Sequence, residues 1–144
     1  MSDLAPISFE CRLACGPAEA FATYTDRIGE WWDPRYSANA DTFAGVTIEP
    51  RAGGRVYEHH RGGAEYEWGE VTAWEPGERL VHSFALAQDP AHPSEVAVEF
   101  VPTGEGSLVR FEHRGWSEEN MHDRRKFGDW PVLLDRFAAL ASPA

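Results

Sequence analysis

Between residues 46 and 114 the chain runs through six short segments, each closed by turn residues, and this series constrains the fold more than any other feature. VTIEP leads into RAGG, whose two glycines permit a positive-φ turn. RVYEHH leads into RGG, a hairpin signal. EYEWGEVTAW ends at EPGE, where Pro76 and Gly77 are the pair that a type II turn wants at its centre. RLVHSFAL is followed by the loop DPAHP, and SEVAVEFVP and SLVRFEHRGW flank TGEG. Short, turn-linked neighbours of this kind pair antiparallel. Several alternate well enough to assign faces. Val96, Val98 and Phe100 oppose Ala97 and Glu99, and Val109, Phe111 and His113 oppose Arg110 and Glu112. Leu80, His82, Phe84 and Leu86 share a face.

The flanking segments supply the cover for such a sheet. Ile7, Phe9, Cys11 and Leu13 alternate with Ser8, Glu10, Arg12 and Ala14, which predicts a strand with one buried side. Gly16 ends it, and Pro17 suits the first turn of a short helix on which Phe21 and Tyr24 share a face. A second one-turn helix is expected over Asp26 to Trp32, stopped by Pro34, with an irregular loop over 35–45. Near the C-terminus Ser117, followed by Glu118 and Glu119, predicts a helix start. Pro131 forbids an unbroken ladder, so a break is expected near Gly128. Beyond it Trp130, Leu133, Leu134, Phe137 and Leu140 recur at helical spacing.

The expected fold is therefore α+β: about seven antiparallel strands in one curved sheet, two short helices after the first, and a long C-terminal helix. At 144 residues the chain suits a single domain, 1–144. One helix cannot fill a strongly curved sheet of that width. With six Trp and eight Phe available, the remaining room is expected to be an aromatic-lined cavity, the kind of space that binds apolar small molecules. Adjacent Trp31 and Trp32 cannot share a face. Trp32 is expected to turn toward the cavity and Trp31 to pack under the short helices.

Charge and composition remove other classes. A net charge of −11, spread along the chain, gives no general attraction to nucleic acid or to an anionic membrane. No apolar run approaches the roughly 20 residues of a membrane span. The start, MSDLAPISFE, lacks a signal peptide's basic and apolar regions, so a cytoplasmic location is expected. Cys11 and Cys15 on one strand would lie about 13 Å apart. That exceeds the roughly 7 Å limit for a disulfide and favours buried thiols.

The chemistry-bearing residues are few. Glu58-His59-His60 invites a metal reading, with His82 and His113 on other strands. Strand neighbours point to opposite faces, however, and no HxxxH or CxxC spacing supports a site. A surface pair of histidines is expected, with no metal and no cofactor. His113 falls on the apolar face, where burial would keep it neutral. The face of Glu58 is open, because Val56 with Glu58 and Tyr57 with His59 both make plausible inner sets. An inward Glu58 and His113 would serve as a polar anchor or as an acid/base pair. Trp68 and Trp74 lie six apart and share a face unless a bulge intervenes; which face is open. Trp116 follows the last strand, near the expected mouth.

The pieces PAEAFATYTDRIGEWW, EPRAGGRVYE, WGEVTAWEPGERLVHSF, SEVAVEFVP, VRFEHRGW and GDWPVLLDRF span nearly the whole chain in order. In that order they resemble the START-like (SRPBCC) superfamily, whose helix-grip fold is also that of the birch pollen allergen. More narrowly they resemble the group named for homology to the activator of the heat-shock protein 90 ATPase. The resemblance implies a curved sheet wrapped around the C-terminal helix with a cavity between. It also implies a choice of functions, since superfamily members bind lipids, hormones or polyketides, and some are cyclases or hydrolytic enzymes.

The leading expectation is a small-molecule binding protein for an apolar or amphipathic ligand. Trp32, Phe84, Phe100, Phe111, His113 and Trp130 are expected to line its cavity, joined by Glu58, His82 and Trp116. The second reading is a cyclase- or hydrolase-like enzyme using Glu58 and His113. The third is an interaction module of the chaperone-activating type. The eukaryotic co-chaperones of the group carry an additional N-terminal domain, which nothing before Ile7 supplies, and this counts against a chaperone partner. A homodimer is compatible with all three.

Overall fold

The computed structural model describes residues 4–142. Strand β1 (Ile7–Leu13) is followed by helices α1 (Pro17–Asp26) and α2 (Ile28–Trp31) and a 3-10 turn over Pro34–Tyr36. Strands β2 (Phe43–Ile48), β3 (Arg55–His60), β4 (Glu65–Glu75), β5 (Arg79–Phe84), β6 (Ser94–Thr103) and β7 (Gly106–Arg114) then run in succession. A 3-10 helix over Met121–Phe127 precedes the C-terminal helix α3 (Trp130–Ala141).

The seven strands form one antiparallel sheet in the order β1-β7-β6-β5-β4-β3-β2. Strands β2 to β7 form a meander, and β1 closes onto β7 with Phe9 opposite Phe111 and Ile7 opposite His113. The sheet curls into a half-barrel, and α1 and α2 carry the chain from the β1 edge to the β2 edge. Helix α3 lies against β1, α1 and α2, and its buried stripe of Trp130, Leu133, Leu134 and Phe137 faces the concave side. This is the α+β helix-grip arrangement expected from the strand series and the single apolar helix.

Pro17 occupies the first turn of α1, where its missing N–H costs nothing, and Gly77 has φ 75 at the β4–β5 turn, as a type II turn requires. Three boundaries differ from the sequence reading. Strand β2 begins at Phe43, because Thr42 and Phe43 already bond back to Asn39. The second helix is shorter than 26–32 and spans Ile28–Trp31. Ser117 does not start a helix; the 3-10 segment begins four residues later, after Asn120. The Asn120 side chain accepts from the Ser117 N–H and donates to the carbonyls of His92, Pro93 and Gly115. One buried amide thus ties the 92–93 loop to the 115–117 segment after β7, and Ser117 serves as one of the tied backbones.

Strand β4 carries two register shifts, one against β3 at Val56/Tyr57 and one against β5 at Val71/Ala73. Each bulge turns the alternation by one residue. Trp68 and Val71 are therefore both buried on the concave side, and the second bulge brings Trp74 inward against Phe21, ring centroids 5.0 Å apart. Gly69 sits at the first bulge, where a Cβ would lie 2.1 Å from the Ser83 carbonyl oxygen, so no side chain fits there.

A candidate ligand site at the head of the C-terminal helix

On β3 the inward set is Val56, Glu58 and His60, leaving Tyr57 and His59 outside. Glu58 has 0 % exposure and is saturated. Its Oε1 accepts from the Ala38 N–H at 3.0 Å and from His60 Nε2 at 2.7 Å, and its Oε2 accepts from Trp68 Nε1 at 2.8 Å. The other ring nitrogen of His60 meets Thr42 Oγ1 at 2.8 Å. The expected surface pair of histidines is thus corrected: His60 is buried as the partner of Glu58, and only His59, half-buried on the convex side, is outside. The cause is the carboxylate, which needs donors once it is taken out of water. Among the described residues no group of three or more His, Cys, Asp or Glu is placed to hold a metal.

His113 is the second buried polar node, also at 0 % exposure. Its Nδ1 receives the Trp130 indole N–H at 3.0 Å. Indole only donates, so the ring proton sits on Nε2, which donates to Ser94 Oγ at 2.6 Å. Trp116 stacks on the ring at 4.6 Å and donates to the His113 carbonyl. Burial pushes the His113 pKa down to about 3, with smaller contributions from His82 and Arg124. Burial likewise pushes His82 down to about 4, against the opposing hydrogen bond to the Ser83 carbonyl.

Both histidines are therefore neutral when folded and titrate at about 6.5 when unfolded. Below pH 6.5 the unfolded chain binds more protons than the folded one, so stability falls with falling pH. The loss is fully absent above about 6.5 and continues until the folded pKa values near 4 and 3. Unfolding in urea at pH 7 and pH 5 should show a loss of about 2 kcal/mol for each histidine. A His113→Gln variant should show a shallower pH slope than the parent. An unchanged slope would contradict this account of His113.

Glu58 and His113 both face inward, but the geometry does not make them an acid/base pair. Trp68 and Phe84 stand between them, with Trp68–Phe84 centroids at 5.4 Å and Phe84–His113 at 5.2 Å. Each is bonded to its own partners, and His113 has no proton to give at Nδ1.

The open space lies elsewhere, at the head of α3. A cavity of about 450 Å³ is walled by Trp32, by Arg35 to Ala38, by Phe84 at the end of β5 with Leu86 and Ala87 beyond it, and by Lys126, Phe127, Asp129, Trp130 and Leu133. Arg136 Nε donates to the Trp31 carbonyl at 2.7 Å and fixes the end of α2. Asp33 then accepts the Arg35 backbone N–H and guanidinium, which sets the 3-10 turn. The Tyr36 hydroxyl donates to Asp129 at 2.9 Å, bridging that turn to the head of α3.

The two adjacent tryptophans separate here. Trp31 packs under α1 against Tyr24 and Phe137 and donates to the Tyr24 carbonyl. Trp32, at 3 % exposure, turns to the cavity, 4.4 Å from Trp68 and 5.7 Å from Trp130, and its indole N–H has no hydrogen-bond partner among the described residues.

Of the residues expected at the site, Trp32, Phe84 and Trp130 line this cavity. Phe111 packs beneath Trp130 at 4.5 Å, and Phe100 packs against Phe21 and Tyr24. Glu58, His82, His113 and Trp116 are buried behind the wall, held by one another's neighbours rather than facing the space. Arg35, Tyr36, Lys126, Phe127, Asp129 and Leu133 join the wall without having been expected there. Leu133 was already on the predicted apolar stripe, but the others lie in aperiodic segments that carry no sequence signal of facing.

A family profile described as Activator of Hsp90 ATPase homolog 1-like protein matches residues 14–142. Protein MLL2253 from Mesorhizobium loti is 25% identical, with a TM-score of 0.70, and the match covers 94% of this chain and 96% of that one. An anthrahydroquino-γ-pyrone synthase, Txn09, is 27% identical with a TM-score of 0.62, over 97% of this chain and 99% of that one. The Aha1 protein of Colwellia psychrerythraea, solved as a dimer, shares the fold at 16% identity and a TM-score of 0.71, over 96% and 97% of the two chains. No curated protein matches the sequence at a significant level. Among the described residues no helix is long and apolar enough to cross a membrane.

Proposed function

This chain belongs to the Activator of Hsp90 ATPase homolog 1-like family, and from that premise we propose that it binds an apolar or amphipathic small molecule in the cavity at the head of α3. The observation that carries the reading is the cavity itself. About 450 Å³ lies within the range of small-molecule sites, and its inner wall is made of Trp32, Phe84, Phe127, Trp130 and Leu133. Flat aromatic walls favour a flat aromatic guest through stacking and edge contacts. The relative named as an anthrahydroquino-γ-pyrone synthase handles a polycyclic aromatic compound by its name, which agrees with the same ligand class here. Binding is favoured over turnover because Glu58 and His113 are each saturated by protein partners and stand apart.

Titration with 2-naphthoate should quench the tryptophan fluorescence saturably, as two of the six tryptophans form the wall. Leu86→Trp, which fills the space from the β5–β6 loop, should abolish binding in calorimetry while the circular dichroism spectrum stays unchanged. Absence of saturation up to millimolar ligand, or full binding by the filled variant, would count against the cavity as the site.

A further inference from the structure

We infer that the ligand of this cavity joins its aromatic body to an anionic oxygen group, a carboxylate or ionised phenol, and that Arg35 and Lys126 hold that group at the mouth. The inference rests on the ligand-binding reading above and adds the charge of the ligand.

The chain has 24 acidic and 13 basic residues, yet the cavity wall carries two cations and one carboxylate. That carboxylate, Asp129, accepts the Tyr36 hydroxyl. The Arg35 and Lys126 side chains are 72% and 50% exposed, so their charges sit at the mouth and not at the aromatic floor. Each is held by an acid behind it. Arg35 places Nε and Nη2 on Asp33, leaving Nη1 with no hydrogen bond among the described residues. Lys126 Nζ bonds Asp123 at 2.6 Å and the Ala87 carbonyl at 2.9 Å, which leaves the third of its three N–H groups.

Helix α3 begins at the same mouth, and the carboxylate of its N-cap, Asp129, offsets the partial positive charge of the helix end. The two side-chain cations, which come from separate segments, therefore carry the positive charge of the opening. The cations are also ordered in advance by Asp33 and Asp123, so an anion need not pay for fixing them. An amine would meet two like charges.

The test compares three probes on one aromatic frame by calorimetry: 2-naphthoate, 2-naphthalenemethanol and 2-naphthylmethylamine. Naphthoate should bind about tenfold tighter than the alcohol, with the amine weakest, and its advantage should shrink as salt is raised. The double variant Arg35→Gln/Lys126→Gln should bind naphthoate and the alcohol alike, losing the preference for naphthoate. Equal binding of naphthoate and alcohol by the parent, or a preference that survives in the double variant, overturns this inference and leaves the ligand-binding reading standing. Failure of all three probes to bind overturns both. Should the double variant not fold, the order of the three probes on the parent and its salt dependence decide the matter alone.

Discussion

Glu58→Ala is expected to destabilise the protein by about 3–5 kcal/mol, at about 1–3 kcal/mol for each buried hydrogen-bonding group left without its partner. The substitution strips three donors of their acceptor at once: the Ala38 N–H, His60 Nε2 and Trp68 Nε1. Two of them, His60 and Trp68, do not reach water in place of the carboxylate, since the His60 side chain is 1% exposed and Trp68 2%. A domain of this size has only about 5–15 kcal/mol in hand, so the loss is a large share of the total. Glu58→Gln keeps the shape and one acceptor oxygen but turns an N–H toward donors, and it should fall between the parent and Glu58→Ala. Urea unfolding of the three proteins gives the order directly. A loss below about 1 kcal/mol for Glu58→Ala would show that the carboxylate is not the tie between β3, β4 and the Ala38 strap. Ala38 lies on the cavity wall, so the variant should also weaken naphthoate binding.

Trp130→Ala carries a comparable cost, about 3–5 kcal/mol, for removing a buried tryptophan. Its ring meets those of Trp32, Phe84, Phe111 and His113, which places it where floor, wall and polar node join. Trp130→Phe separates packing from hydrogen bonding. It keeps most of the ring volume but leaves His113 Nδ1 without a donor, a loss of about 1–3 kcal/mol for an unmade buried hydrogen bond. Nδ1 is then free to take a proton, so the His113 pKa should rise from its depressed value near 3. The pH dependence of stability below 6.5 should flatten accordingly. Denaturant unfolding at pH 7 and pH 5 checks both parts. A Trp130→Phe protein as pH-sensitive as the parent would contradict the assignment of the indole N–H to Nδ1.

Much of this arrangement was legible in the chain before its structure. Strands β3 to β7 follow from short segments closed by glycine- and proline-bearing turns, and in β5, β6 and β7 the alternation also writes the facing into every second residue. That Trp31 and Trp32 face different ways followed from adjacency, and the choice of Trp32 as the inward one from the cavity entrance expected beside them. What was not legible depends on contacts distant in sequence. Val56 with Glu58 and Tyr57 with His59 made equal inner sets for β3, and the deciding donors come from Ala38 and Trp68. The two bulges of β4 decide where Trp68, Val71 and Trp74 point, and a bulge leaves no mark on the alternation until its partner strands are known. Asn120, not Ser117, organises the approach to α3 because its amide reaches both the 92–93 loop and the 115–117 segment after β7. The mouth is formed by Arg35, Tyr36, Lys126 and Asp129, which come from aperiodic stretches about 90 residues apart. Nothing local announces that such segments meet.

The most direct test of the account follows the six indole N–H signals in a proton–nitrogen correlation spectrum while 2-naphthoate is added. The account predicts that the signals of Trp32 and Trp130 move together and saturate with one dissociation constant, while Trp74, packed against Phe21 away from the cavity, does not move. No movement at millimolar ligand, or movement at Trp74 with Trp32 and Trp130 unchanged, would contradict it.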